Sequence, residues 1–436
     1  MQTTFDIRTH MNDLRIRLPQ FSISHLHQQL SQVQLSQIQL PGVISLIKAN
    51  PWTTFAIASV SYLAIVRALR YRAINQMRRK YARFEKDPYS MDYRSAHEIM
   101  LLSMLYDMPW MHFFSTSLAL VKTYTIASGT SLLVATRQLT TSKNVGKRAE
   151  DTGVALTEFV IGFVDSERAL RALSKVNWLH GRYGAKVKNR DMTHTLAMFV
   201  LEPQRWIEDY EWRPMTYMEK VAMFVYWKEV GNRMGIEDIP PTLEKLQEWT
   251  VAFEKENMVY SDDNKICAET TMELYLRGVP PFARGFAKNV ANSLLEDRVR
   301  LALGSPEPPA YVKHLVVFIL KTRGWVVRNF FLPRLLSVDP LAKKRPDGRL
   351  QRDRFAFEPW YVKDSWLQKL GIWLSSRGRL VPGDEWKTSG YLPEEIGPSE
   401  HIEKSREPVL QQAEAMRKYA ESGGASVMGC PFSFGK

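Results

Sequence analysis

The sequence predicts an all-α protein with one membrane-spanning helix near its N-terminus. Apolar residues recur with long helical periods after residue 85, and the period-two alternation typical of strands is almost absent. Apolar residues make up 45% and charged residues 24% of the chain, which is globular composition and excludes a largely disordered or collagen-like protein. The predicted parts are an N-terminal segment (1–44), a membrane helix with its basic flank (45–72), a helical domain (85–335) and a C-terminal extension packed on that domain, ending in a mobile tail (336–436).

The predicted membrane helix rests on an uncharged stretch at residues 49–66, ANPWTTFAIASVSYLAIV. At a rise of about 1.5 Å per residue, this stretch covers most of a hydrocarbon core of about 30 Å. Trp52 and Tyr71 lie near its two ends, where interfacial aromatic residues are expected. A buried core helix is the alternative, because the stretch is only moderately apolar. The Gln-rich residues 1–44 are compatible with an amphipathic helix or with disorder, and we assign them no function.

Basic residues are distributed unequally around the uncharged stretch. Seven follow it between residues 67 and 83, whereas Lys48 alone lies in the preceding stretch of about 15 residues. The positive-inside rule therefore predicts that the C-terminal bulk of the chain lies in the cytosol. The same basic cluster can contact anionic lipid headgroups.

The charge balance and the cysteine content limit the possible partners. Lys and Arg (59) exceed Asp and Glu (46), giving a net charge of +13, which favours a nucleic-acid or a membrane-surface partner. No basic patch interleaved with aromatic residues and no zinc-finger spacing occurs, so we expect no nucleic-acid partner. Two cysteines, Cys267 and Cys430, cannot build a disulfide framework or a cysteine-rich zinc site, which favours a reducing compartment.

Two helices in the middle of the chain, about 146–163 and about 166–184, are predicted to form an antiparallel hairpin. Asp165 and Ser166 give a cap signal for the second helix, and Glu167 stands in its first turn. A turn at 164–166 would bring Arg148 and His180 to one level of the bundle.

The second helix carries an imidazole on an otherwise apolar stripe. The stripe has spacings of four, three, four and three and consists of Ala169, Leu173, Val176, His180 and Tyr183. His180 is then either a core histidine that a carbonyl satisfies, which is the commoner arrangement, or an axial metal ligand. His194 is open to the same two interpretations.

The first helix carries Arg148, Asp151 and Thr152, spaced i, i+3 and i+4, a pattern that predicts one shared helix face. One interpretation is an exposed Arg148–Asp151 ion pair, worth a few tenths of a kcal/mol. The other is a polar pocket that binds or polarises O₂ beside a cofactor.

Motifs for several common enzyme classes are missing. The sequence has no G-x-G-x-x-G after a strand, no Walker loop, no H-E-x-x-H, no G-x-S-x-G and no C-x-x-C-H. A helical, membrane-tethered domain without them can hold a haem or a metal between its helices, or serve as a scaffold.

Several longer segments make the sequence similar to a known family. They are RALRYR (67–72), FFSTSLALVKTYTIASGTSLLVATRQL (113–139), KRAEDT (147–152), NWLHGRYG (177–184), DMTHTLAMFVLEPQRWIEDYEWRPMT (191–216), LLEDRVRLAL (294–303), VPGDEW (381–386) and MGCPF (428–432). In these segments the chain resembles the ER-bound oxygenase of mycophenolic acid biosynthesis and its distant relatives, the latex-clearing rubber oxygenases. The resemblance covers nearly the whole chain after residue 45.

The resemblance implies a globin-like helical bundle that binds haem b. His180 matches the position of the proximal iron ligand, and Arg148, Asp151 and Thr152 match the distal motif R-x-x-[K/D]-T. The rubber oxygenases have Lys at the position of Asp151. An ammonium group could coordinate the iron or donate to bound O₂, whereas a carboxylate would act as a base or hold Arg148.

The resemblance also implies the reaction and its location. We expect a haem-dependent dioxygenase that uses O₂ to cleave or oxidise a C=C bond of a terpenoid, polyprenyl or other lipophilic substrate in secondary metabolism. We expect it in the endoplasmic reticulum membrane as a single-pass protein, with its catalytic domain in the cytosol. Two alternatives remain open: a cofactor-less ER interaction protein, and a non-haem metal hydrolase that uses His180, His194 and acidic neighbours such as Asp191.

Overall fold

The computed structural model describes residues 50–375 and 383–424. These residues are mostly helical, so the predicted all-α class is confirmed. Within them, strand structure is limited to a two-stranded antiparallel ladder of β1 (Lys343–Lys344) and β2 (Leu350–Gln351), in which Lys343 pairs with Gln351 and Lys344 with Leu350. The tail with Cys430 and the motif MGCPF, the start of VPGDEW and the whole N-terminal segment (1–44) lie outside the described residues.

The chain divides into two compact units. The described part of the first, here called the N-terminal unit, comprises residues 50–77 together with Val326–Pro333. The second, here called the large unit, comprises Arg78–Trp325 and the described residues from Arg334 onward. A segment far along the sequence thus belongs to the same unit as the predicted membrane helix.

The main helix of the N-terminal unit is α1 (Pro51–Arg70). Proline at its first position lacks the N–H that a helix start leaves unpaired, and Arg67 and Arg70 in its last turn interact favourably with the helix dipole. The continuous helical stretch Pro51–Lys80 is long and apolar enough to cross a membrane. Large apolar side chains along α1 are exposed, including Trp52 and Phe55, which argues against the alternative of a buried core helix.

The remaining helices follow in chain order: α2 (Arg72–Lys80), α3 (Arg83–Lys86), α4 (Tyr93–Leu101), α5 (Pro109–Thr123), α6 (Ala127–Thr136), α7 (Val145–Leu156), α8 (Glu167–Gly181), α9 (Asn189–Tyr210), α10 (Tyr217–Arg233), α11 (Leu243–Asn257), α12 (Asp262–Tyr275), α13 (Arg284–Ser293), α14 (Asp297–Ala302), α15 (Ala310–Phe330), α16 (Trp366–Ser375) and α17 (Ile402–Glu421). Leu102–Asp107 and Thr157–Ile161 are π-helical and directly follow α4 and α7. In the large unit α9 packs on α5, α10 on α4, α12 on α6 and α17 on α8.

The predicted hairpin is present as α7 and α8. Ser166 caps α8, because its side-chain oxygen accepts a hydrogen bond from the Ala169 amide at 3.4 Å, and Glu167 stands in the first turn. The backbone becomes extended at Gly162, which ends the first helix of the pair. The hairpin therefore turns where the cap signal predicted.

Candidate cofactor site

One face of α7 presents a short polar pair. The Arg148 Nη1 donates to the Thr152 side-chain oxygen at 2.8 Å, and the Thr152 hydroxyl donates to the Arg148 carbonyl at 2.9 Å. Both side chains are half-buried. Positions four apart are neighbours on a helix surface, so the spacing by itself produces this pair.

His180 lies in the last turn of α8 and is half-buried. Its Nδ1 atom is buried and has no hydrogen-bond partner among the described residues. Buried polar atoms are nearly always hydrogen-bonded, so the interpretation of a core histidine that a carbonyl satisfies is not supported. Burial, and second to it the Arg148 guanidinium, lowers the pKa of His180 to about 4. The imidazole is therefore neutral at physiological pH, and the hairpin brings Arg148 close enough for its charge to act on it.

Open space borders α7 beside this pair. A Cβ atom added at Gly153, the residue after Thr152, would meet no heavy atom within 4 Å. A ligand bound between helices needs open space and a few polar groups. The neutral imidazole, the guanidinium and the hydroxyl are such groups.

Tyr124 is a neighbour of Arg148 that sequence reasoning did not select. Burial raises its pKa, and the nearby Arg148 charge acts in the opposite direction. Its hydroxyl accepts a hydrogen bond from Thr271 of α12 at 3.4 Å, and the Tyr275 hydroxyl is also close to it. Tyr124 lies in one of the segments that carry the family resemblance, which is the only signal that could have indicated it; Tyr275 lies in none of them.

Asp151 does not join Arg148, contrary to the prediction of one shared face. The Asp151 side chain is only 2% exposed. One of its oxygens accepts from the Lys147 ammonium at 2.5 Å, and the other accepts from the Tyr361 hydroxyl at 2.7 Å. At about 100° per residue, Asp151 stands about 60° to one side of Arg148 and Thr152 about 40° to the other. The exposed Arg148–Asp151 ion pair is therefore wrong as well: the carboxylate is buried and its partner is Lys147.

Asp151 belongs instead to a cluster that joins α7 to the C-terminal extension. We call Lys147, Asp151, Tyr361 and the Gly397 carbonyl the clasp. The Lys147 ammonium donates to Gly397 at 2.9 Å in addition to its ion pair. Tyr361 is fully buried, so the clasp is closed to water on that side.

Other buried side chains of the same helix region bind the extension in a similar way. The Glu150 carboxylate accepts from Arg352 and from the backbone amides of Ala356, Phe357 and Glu358. The Glu158 carboxylate binds Arg168 and accepts from the Tyr391 hydroxyl at 2.6 Å. The extension is thus fixed to the helix that carries Arg148 and Thr152.

His194 and Asp191 have separate partners, which removes the support for a metal hydrolase. His194 Nε2 lies 3.3 Å from a Glu254 carboxylate oxygen, and Glu254 is ion-paired with Lys122. Asp191 accepts from the Ser128 hydroxyl at 2.6 Å. Across residues 50–375 and 383–424, no three or more His, Cys, Asp or Glu side chains form a group that could hold a metal ion.

Comparison with known proteins gives a consistent result. Residues 118–327 match the family described as ER-bound oxygenase mpaB/B'/Rubber oxygenase, catalytic domain. The chain is 27% identical over 397 residues to the ER-bound oxygenase mpaB' of Penicillium brevicompactum, covering 86% of this chain and 92% of that protein. It is 28% identical over 268 residues to the ER-bound oxygenase mpaB of Penicillium roqueforti (strain FM164), covering 58% and 90%. The mpaB of Penicillium brevicompactum is 28% identical over 377 residues, covering 80% and 90%.

The matched range contains α7 and α8 with Arg148, Thr152 and His180, whereas α1 and the extension lie outside it. The family assignment therefore concerns the part of the chain in which the candidate site was found. Residues 118–327 match the catalytic domain of the ER-bound oxygenase mpaB/B'/rubber oxygenase family, and relatives named ER-bound oxygenase are similar to most of the chain, so the comparisons support the family resemblance.

Proposed function

We propose that this protein is a membrane-anchored, haem-dependent oxygenase that uses O₂ to cleave a C=C bond of a terpenoid, polyprenyl or similar lipophilic substrate. The observation that carries the proposal is His180, a half-buried, neutral imidazole near Arg148 whose buried Nδ1 has no hydrogen-bond partner among the described residues. Neutral imidazole is the form that binds iron. The open position beside Gly153, next to Thr152, leaves room for a bound group at α7.

The residues present fit haem b. His180 would hold the iron through a ring nitrogen, and the bound haem would supply the centre at which O₂ is activated. Arg148 would donate to negative charge that develops on the oxygen atoms, and electrostatic help of this kind is typically worth about 2.7–4 kcal/mol per donor. Thr152 would hold the guanidinium in place through the bond at 2.8 Å.

Asp151 has no place in these steps, because its carboxylate is occupied by Lys147 and Tyr361. The expectation that it acts as a base or holds Arg148 is replaced by a structural role in the clasp. Arg148 and Thr152 then remain as the polar side chains of α7 that could face O₂ in this proposal.

The membrane helix explains why such a substrate would be accessible. A polyprenyl chain partitions into the bilayer, so an oxygenase held beside the headgroups meets it at a high local concentration. The relatives are named ER-bound, and α1 is long and apolar enough to span. The basic flank after α1 supports the proposed location of the catalytic bulk on the cytosolic side of the endoplasmic reticulum.

An absorption spectrum of the detergent-solubilised full chain tests the cofactor. We expect a Soret band that His180→Ala abolishes or shifts, while His314→Ala, an exposed histidine of α15, leaves it unchanged. A chain that shows no Soret band after haem supplementation contradicts the proposal and favours the cofactor-less interaction protein.

The reaction is tested with ¹⁸O₂ and an unsaturated prenyl substrate. Cleavage of one C=C bond by one O₂ gives two carbonyl fragments, and both should carry the label when they are reduced to alcohols with borohydride before their oxygen exchanges with water. Label in a single fragment contradicts dioxygenase cleavage. Protease added to intact microsomes tests the orientation, because a cytosolic catalytic domain is digested without detergent.

A further inference from the structure

The segment RNFFLPR, residues 328–334, follows from the last turn of α15 and lies almost entirely in the N-terminal unit. Val326–Pro333 belongs to that unit although the rest of α15 does not. Within the unit, the Tyr62 hydroxyl of α1 donates to the Phe330 carbonyl at 2.8 Å. The predicted membrane helix therefore holds a segment that lies far from it in sequence.

This hydrogen bond pairs a carbonyl at the end of a helix, and such pairing is especially important in lipid. The last four carbonyls of a helix lack partners within the helix, and an unpaired carbonyl in hydrocarbon costs several kcal/mol. Phe330 is the last residue of α15, and Tyr62 supplies the donor for its carbonyl. Pro333 has no N–H, so the chain that leaves the helix carries one donor fewer.

The side chains of the segment are arranged as in a shallow membrane contact. Phe330, Phe331 and Leu332 are 42%, 57% and 46% exposed, so three consecutive large apolar side chains each leave about half of their surface accessible. Exposed Arg328 and Arg334 flank them. Arginines at such positions can reach the headgroup phosphates while the apolar residues between them lie deeper.

The depth of Tyr62 agrees with this arrangement. Tyr62 precedes Arg67, the first charged residue after the uncharged stretch, by five residues, which is about 7.5 Å along a helix. Apolar faces of interfacial segments are buried about 5–10 Å into the boundary between headgroups and acyl chains. A segment bonded to Tyr62 lies within that range if α1 spans the bilayer.

We propose that Phe330, Phe331 and Leu332 insert into the lipid beside the C-terminal half of α1 and form a second membrane contact of the chain. The proposal rests on the membrane anchoring given under the proposed function. Lipid is the occupant because the segment is bonded to the spanning helix and is flanked by arginines on both sides. In sequence order, the first membrane contact then directly precedes α2, and the second follows at the end of α15.

The test uses the full chain, with Cys267→Ala and Cys430→Ser, reconstituted into phosphatidylcholine vesicles that contain nitroxide-labelled phosphatidylcholine. Single cysteines labelled with the fluorophore NBD are placed by Phe331→Cys, by Val60→Cys in α1 and by Val251→Cys in α11. Val60 and Val251 are similarly exposed in the structure, so they serve as the lipid and water references. We expect NBD at 331 and at 60 to emit at shorter wavelength and to lose fluorescence to the nitroxide lipid, whereas NBD at 251 does neither.

The outcomes test the second membrane contact separately from the membrane span by α1. Quenching at 60 without quenching at 331 overturns the second contact and leaves the span intact. A blue shift at 331 without quenching means that protein, such as a second copy of the chain, covers the segment, and it also overturns the inference. No quenching at 60 overturns the span, and the second contact with it.

Discussion

The charged residues on the two sides of α7 differ in burial and in hydrogen bonding. On one side Arg148 is half-buried beside the open position at Gly153, and among the described residues its side chain is bonded only to Thr152. On the other side Asp151 is buried and bonded to both Lys147 and Tyr361. A fully satisfied buried network rigidifies a structure, whereas a donor whose capacity is not used up remains available to a ligand. One short motif, KRAEDT, thus divides between a ligand-facing pair and a structural clasp.

This division gives the C-terminal extension a function in the site although none of its described residues binds Arg148, Thr152 or His180. Because α7 is bonded along its back to the extension, the rotation of the helix, and hence the direction of Arg148, is fixed from behind. Glu150 and Glu158 still bind the extension when the clasp alone is broken, so a clasp variant should lose mainly stability. A variant on the side of Arg148 should lose mainly turnover.

Removing the carboxylate of the clasp should have the largest effect, and it should appear in stability. Asp151→Ala leaves the Lys147 ammonium half-buried without its ion-pair partner, and breaking such a pair typically costs about 3–5 kcal/mol. Chemical denaturation of the full chain in detergent measures this loss. Turnover per haem-loaded molecule should stay within a few-fold of the parent protein. A loss of about 10²-fold in turnover at unchanged stability would mean that Asp151 acts in the distal site and not in the clasp.

Removing the guanidinium on the ligand-facing side should lower turnover and leave stability nearly unchanged. Arg148→Ala should lower turnover of an unsaturated prenyl substrate by about 10²-fold or more, since about 2.7–4 kcal/mol of charge stabilisation is lost. Haem content and the denaturation midpoint should stay near those of the parent, because Arg148 has no partner in the clasp. Arg171→Ala, which removes an arginine whose ion pairs lie outside the α7 site, is the matched control and should retain turnover. Near-parental turnover of Arg148→Ala would make Arg148 structural.

Local sequence rules predicted part of this site and long-range contacts decided the rest. The Ser166 cap and the i, i+4 spacing of Arg148 and Thr152 are local, so the hairpin and the polar pair followed from the sequence. The direction of Asp151 is set by Tyr361, whose position depends on how the extension folds back, and no helical period carries that information. An i, i+3 neighbour lies close enough to suggest a shared face, yet 60° of rotation was sufficient to place it in another cluster. The packing of residues 326–333 with α1 was unpredictable for the same reason.

Removing a single hydroxyl should test the clasp more finely. Tyr361→Phe keeps the ring in the core but leaves one Asp151 oxygen without its donor, which typically costs about 1–3 kcal/mol. Tyr275→Phe, a change of the same kind at a less buried ring, should cost less in the same denaturation series. If the Tyr361→Phe variant also loses turnover while retaining its haem, the rotation of α7 is transmitted to Arg148. An equal, negligible cost for both variants would mean that the clasp does not hold α7.

The smallest effect is expected from the pH dependence of a lysine behind the clasp. Lys175 of α8 is fully buried with its ammonium 2.5 Å from the Ser405 hydroxyl, and burial lowers its pKa to about 8. Between this value and the ordinary lysine pKa of about 10.4, the unfolded chain binds a proton that the folded chain does not. Stability should therefore rise with pH through this window, by on the order of 1–2 kcal/mol between pH 8 and 10, because the charged form is penalised only in the folded state. Lys175→Met keeps the apolar stem and removes the titration, so its denaturation midpoint should rise less over the same range. Parallel pH profiles for the parent and Lys175→Met would show that the buried ammonium is compensated by its surroundings, Asp151 included.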